Sequence, residues 1–279
     1  MDPQTSISTA NIILFLAALF GAIASYARPI RSPYAEDRCW NRWNLSILGF
    51  VGYLWMLLVI ILFSPLLGDQ LAAFLTEGDE LPMQTRSISA TFFMQVGLIG
   101  LILFAVQRRG WSLKSFFRAG GVPWGRVIRH SGHLFLRFLP AIWLVGIFWG
   151  GILLALRELG FEATPQPQLA VQWIADSDSV VFLVVMGLMV VLAAPFSEEL
   201  VFRGFLYRFL DERGPARFAL IFSSLLFALL HASLNSFLPL FFIGLLLVKI
   251  YDDTHDIRVP ILFHLYFNLF SFLNILFLP

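Results

Sequence analysis

Eight long apolar runs recur along this chain, and no other feature restricts its fold as much. They cover roughly Ile12–Ala27, Leu45–Leu67, Ala90–Val106, Leu134–Leu156, Val180–Ala194 with a long continuation, Phe218–Leu230, Phe237–Ile250 and Val259–Leu278. Several approach the ~20 residues that span a bilayer as a helix. Strands are ruled out as spans, because an open sheet edge cannot leave its polar backbone groups in lipid. The expected fold is all-α, a polytopic integral membrane helix bundle of about eight transmembrane helices. Only 13% of the residues are charged, about half the share in a soluble domain, so a globular domain on a single anchor does not fit. The expected location is a multi-pass membrane protein, at the cell membrane if the chain is prokaryotic, with the lipid bilayer as its surroundings. The N-terminal MDPQTSISTA lacks a basic n-region, so the first run reads as a retained helix rather than a cleaved signal.

Charge in the connecting segments alternates. Arg28, Arg31, Arg38 and Arg42 follow the first run, and Arg108, Arg109, Lys114, Arg118, Arg126 and Arg129 follow the third. Arg208, Arg213 and Arg217 follow the fifth, while Lys249 and Arg258 share their loop with Asp252, Asp253 and Asp256. The intervening segments hold Asp69, Glu77, Asp79 and Glu80 against Arg86, then Glu158, Glu162, Asp176 and Asp178 against Arg157. Excess Lys and Arg mark cytoplasmic loops, which puts both termini outside. The net charge of +1 gives no reason to expect nucleic acid as a partner. Cys39 is the sole cysteine, which excludes an internal disulfide and a thiolate metal cluster. The stretch from Trp111 to Trp124 mixes aromatic and basic residues. It reads as an interfacial segment or as a loop with interfacial anchors.

Against this apolar background, three short motifs carry ionisable or amide groups. Glu198, Glu199 and Arg203 lie in APFSEELVFRGFL, His231 ends FSSLLFALLH, and His264 and Asn268 lie in PILFHLYFNLF. Such groups at bilayer depth cost a few kcal/mol each or more, so they are expected to be paired, cavity-facing and functional. Adjacent helical residues point about 100° apart. Glu199 and Arg203 are four apart and can form a supporting ion pair, which leaves Glu198 for a cavity. A glutamate there is a suitable general base, and histidine with asparagine can donate to a developing oxyanion. The same residues allow other readings. Glu198, His231 and His264 are a carboxylate and two imidazoles, a set that zinc accepts with an open position for water. Each motif alone also fits a structural role, as an ion pair, a satisfied histidine or interhelical hydrogen-bonding glue. His130, His133 and His255 read as solvated, and Gly68-Asp69 as part of an outer loop. No HExxH and no GxSxG is present.

In order, Glu198-Glu199-x-x-x-Arg203, Phe227-x-x-x-His231 and His264-x-x-x-Asn268 resemble the three-motif signature of the CAAX prenyl protease and bacteriocin-processing (CPBP, abortive-infection-like) membrane proteases. The resemblance covers about residues 178–279, a CPBP-type protease core, and leaves 1–177 as variable N-terminal transmembrane helices and loops. It implies an intramembrane endopeptidase whose site lies between helices and opens toward the cytoplasm, acting on a membrane-associated peptide or protein. It further implies that Glu198 and His231 activate water and that His264 and Asn268 form the oxyanion-binding pair, with no metal needed. A non-catalytic immunity or partner-stabilising protein on the same scaffold is the alternative. A transporter is a third reading, without an inverted repeat to support it.

Depth counting sets one geometric condition. His231 lies fourteen residues past Arg217, about 21 Å along a helix, whereas His264 lies five past Val259, about 8 Å. The two meet if the short sixth and seventh runs form a hairpin embedded partway, or if the fifth run continues as one long helix through roughly Leu210.

Overall fold

The computed structural model describes residues 9–27, 32–34, 41–75, 82–117, 121–161 and 169–277. Arg28, Arg31, Arg38, Cys39, Glu77, Asp79, Glu80, Arg118 and Glu162, and the readings that rest on them, lie outside these residues. Among the described residues there are ten helices and no strand. They are α1 (Thr9–Tyr26), α2 (Ile47–Leu75), α3 (Met83–Arg108), α4 (Leu113–Phe117) and α5 (Trp124–Glu158). The remainder are α6 (Leu169–Ala175), α7 (Val180–Asp211), α8 (Ala216–Leu230), α9 (Phe237–Thr254) and α10 (Arg258–Leu276). All eight apolar runs are helical. Six of them, α1, α2, α3, α5, α7 and α10, are long and apolar enough to cross a membrane. At 15 residues, about 22 Å, α8 falls short, and α9 carries Lys249, Asp252 and Asp253 in its last two turns.

The outer surface is that of a protein in lipid. Leu48 and Phe74 on α2, Ile147 on α5 and Val181 on α7 are each more than 70% exposed. A soluble monomer rarely presents contiguous apolar surface on this scale. The chain is therefore a multi-pass membrane protein.

Two expectations need correction. Gly68-Asp69 is not in a loop, because α2 runs eight residues beyond Leu67 and carries both. Gly68 is where α2 and α3 meet: a Cβ there would lie 2.5 Å from the Ala90 backbone nitrogen. Asp69 accepts two bonds from Arg86 of α3, at 2.7 and 2.8 Å. Gly68→Ala is accordingly expected to destabilise the fold by about 1–3 kcal/mol through overpacking. Gly52, with nothing within 4 Å of its would-be Cβ, is expected to tolerate alanine without loss. Thermal unfolding in detergent compares the two, and equal midpoints would remove the close contact. The second correction is His130, which is buried rather than solvated, with its ring 5.8 Å from that of Tyr34. His133 is exposed and His255 half-buried.

At the end of the bundle bearing the basic segments, the connecting chain packs into the core. Trp43 is fully buried, rings from Trp111, Phe116 and Phe205 surround it, and its Nε1 donates to the Gly204 carbonyl of α7 at 2.9 Å. The stretch after Trp111 is anchored through Phe116, which is 1% exposed, while Ser112, Leu113, Lys114 and Ser115 stay at the surface. Arg208 donates to the Phe116 carbonyl at 3.3 Å and to the Tyr251 hydroxyl. Arg258 pairs with Asp256 and donates to the Val122 carbonyl at 3.0 Å. These buried guanidiniums meet carboxylate, carbonyl, hydroxyl and ring partners, the pairing that burying a charge requires, although Arg258 Nη1 has no hydrogen-bond partner among the described residues.

Candidate active site

The site is built on α7, and proline shapes it. A proline inside a helix lacks an N–H and crowds the carbonyl four residues back. Pro195 sits in the middle of α7, directly after a π-wound stretch, Leu188–Ala193. In that stretch the Ala194 N–H reaches five back, to the Met189 carbonyl. The next donor in the same ladder would be residue 195, which has none, so the Val190 carbonyl loses its intrahelical partner. Asn268 of α10 supplies one, its Nδ2 donating to Val190 O at 2.8 Å. A second π-wound stretch, Leu200–Tyr207, follows. The α-turns between the two, Ala194–Glu199, carry both glutamates. π-Turns within α-helices concentrate at functional sites.

The two glutamates face different surroundings, as their 100° offset requires. Glu199 is fully buried. Its Oε1 accepts from Arg203 Nη1 at 2.8 Å and lies 2.9 Å from His264 Nδ1. Arg203 also donates to the Gly244 carbonyl of α9 at 3.2 Å, and its guanidinium lies over the Phe227 ring, 4.6 Å from the centroid. Glu198 has a side-chain exposure of 26%. Its Oε2 lies 3.9 Å from His231 Nε2 and 3.9 Å from His264 Nε2.

His231 caps the C-terminal end of α8, with Nδ1 2.7 Å from the Phe227 carbonyl. A carbonyl only accepts, so Nδ1 of His231 carries a proton. The carboxylate of Glu199 imposes the same tautomer on His264. Both Nε2 atoms are left to face Glu198.

Glu198, His231, His264 and Asn268 line one cavity of about 530 Å³. Its wall continues through Ser233, Asn235 and Ser236 at the α8–α9 turn, Ser271 and Ile275 of α10, and Ile174 of α6. A second cavity of about 290 Å³ reaches Glu198 from the α3 side, past Gln95, Trp173 and Met186. The depth condition is met in both of its forms. α7 is continuous to Asp211. The α8–α9 hairpin stops partway: Trp149 of α5 donates to the Leu234 carbonyl at 2.7 Å, nine residues, about 14 Å, before α5 ends.

Zinc fits the arrangement poorly. Neutral imidazoles with Nδ1–H bonded elsewhere do present Nε2 as metal ligands do. However, ligands about 2.0–2.1 Å from a tetrahedral ion lie roughly 3.3 Å apart, less than the 3.9 Å found between Glu198 and each imidazole. No group of three or more His, Cys, Asp or Glu among the described residues has metal-holding geometry.

Sequence reasoning could not find the His264–Glu199 contact, which joins residues 65 apart. Nor could it find the tie from Asn268 to Val190, although Pro195 was a signal that a carbonyl nearby would want a donor. Phe227 stood in the second motif without a role: its carbonyl orients one histidine while its ring covers Arg203.

Residues 180–270 match the family model for Type II CAAX prenyl endopeptidase Rce1-like proteins. No curated protein and no solved structure matches the chain. The matched segment, roughly a third of the chain, contains all six motif residues, and over it the chain is similar to Rce1-like type II CAAX prenyl endopeptidases.

Proposed function

We propose that this protein is an intramembrane endopeptidase in which a Glu198-activated water attacks a peptide carbonyl of a membrane-associated substrate. The observation that carries the reading is the convergence of Glu198, His231 and His264 on one polar cavity at 3.9 Å spacings. Gaps of that width suit a water that bridges the groups. Glu198 takes the proton as the water oxygen bonds to the carbonyl carbon. His231, held by its Nδ1–H bond, orients the water through Nε2. The tetrahedral oxyanion receives a bond from the Asn268 N–H not given to Val190 and is faced by His264, whose ring Glu199 fixes through Nδ1. Glu198 then returns its proton to the leaving amine as the C–N bond breaks. Residues 178–279 act as the proteolytic core, and the N-terminal helices complete its walls through α3 and α6.

A cleavage assay on the purified protein tests the assignment. His231→Ala and His264→Ala are each expected to lower the rate at least 100-fold, whereas His133→Ala and His255→Ala leave it near wild type. Treatment with chelator is expected to leave it unchanged. Near-normal cleavage by either motif variant removes that histidine from the mechanism, and chelator loss restored by zinc replaces the metal-free scheme.

A further inference from the structure

The cavity has a closed end and an open end. Toward the basic segments, α7 is sealed: Leu200, Phe202, Arg203, Phe205, Leu206, Tyr207 and Arg208 are all buried. Where α10 begins, Arg258, Val259 and Phe263 are buried as well. Away from that end the same two helices loosen. From Leu265 to Ile275, α10 has no buried residue. The walls there, Ser233, Asn235, Ser271, Ile275 and Ile174, rise from Glu198 to the face where α5 ends and α7 begins. The short α8–α9 hairpin leaves that side recessed by about 14 Å relative to the end of α5.

Charge identifies the face. The connecting segments at the sealed end hold most of the 19 Lys and Arg. On the open side, Arg86 is the sole Lys or Arg between Pro65 and Gly100, and Arg157 the sole one between Phe138 and Phe202. Asymmetry of this kind orients membrane proteins with the basic end in the cytoplasm. Two sequence expectations, basic loops inside and a site open to the cytoplasm, therefore point to opposite ends of this molecule.

We infer that the reaction centre is entered from the extracytoplasmic face, so that its substrates are peptide segments presented at the outer surface of the membrane. The inference about substrates rests on the proteolytic reading, while the direction of entry does not. Hydroxyl and amide groups along the funnel offer partners to the backbone of an extended chain, and the seal of buried aromatics and arginines at the other end closes the shorter route from the cytoplasm.

Single cysteines in a Cys39→Ser background test it with a membrane-impermeant maleimide on right-side-out and inverted vesicles. Ser233→Cys and Ser271→Cys are expected to label at least 10-fold faster in right-side-out vesicles, and Ser112→Cys at least 10-fold faster in inverted ones. The same labelling is expected in a Glu198→Gln background, so the result stands whether or not the protein cleaves peptides. Labelling of the funnel cysteines only in inverted vesicles, labelling from the same side as Ser112→Cys, or no labelling from either side overturns the inference.

Discussion

Glu198→Gln is expected to lower the rate of peptide cleavage by about 10²–10⁴-fold, the range for a positioned general base, while leaving the thermal midpoint in detergent unchanged or higher. The substitution keeps the shape of the side chain. Among the described residues, no donor bonds to Glu198 Oε2, although that atom is buried. A buried carboxylate oxygen without a partner costs stability, so a neutral amide relieves the fold at the moment it disables the chemistry. The measurement is a cleavage assay beside a melting curve on the same preparation. Retained cleavage ends the general-base assignment, and a fall in midpoint of several degrees makes Glu198 a structural residue.

The neighbouring glutamate is expected to behave in the opposite way. Glu199→Gln should cost about 3–5 kcal/mol, the usual price of leaving one member of a buried ion pair unpartnered. Arg203 is fully buried, and its remaining partners are the Gly244 carbonyl and the Phe202 and Phe227 rings; none neutralises a guanidinium. Arg203→Gln should cost a similar amount, and the double variant Glu199→Gln/Arg203→Gln clearly less than the two together, since partners in one network are not additive. Activity should fall in Glu199→Gln as well, because Glu199 also fixes the ring of His264. Unchanged unfolding in Glu199→Gln, or strict additivity in the double variant, would show that the pair carries no such energy.

The helices were legible because each apolar run is long and the lipid-facing composition leaves no other secondary structure open. Their ends were less so. α2 passes Leu67 because GDQLAAF (68–74) is only modestly polar and Gly68 lets α3 approach, a packing fact that periodicity does not contain. The ion pair between Glu199 and Arg203 follows from helical spacing alone. The bond that ties Glu199 to His264 depends on where α10 crosses α7, and no local pattern encodes that. His130 was misread for a related reason. Its own segment is basic and polar, but Tyr34, from a connection nearly a hundred residues earlier, folds over it.

The wide-turned stretch before Pro195 has a consequence for how this chain tolerates changes in length. A π-turn holds one more residue than an α-helix would need over the same rise, and each residue of an α-helix advances the face by about 100°. Deleting a single residue between Leu188 and Ala193 would let α7 rewind as an ordinary helix over the same rise, so Glu198 and Glu199 would keep the faces they present now. The connections on the open side can lengthen or shorten at little thermodynamic cost. Within α7 the wide turn is where loss of one residue can be absorbed in register, whereas a deletion in the α-turns between Ala194 and Glu198 would swing Glu198 about 100° relative to the helix before it.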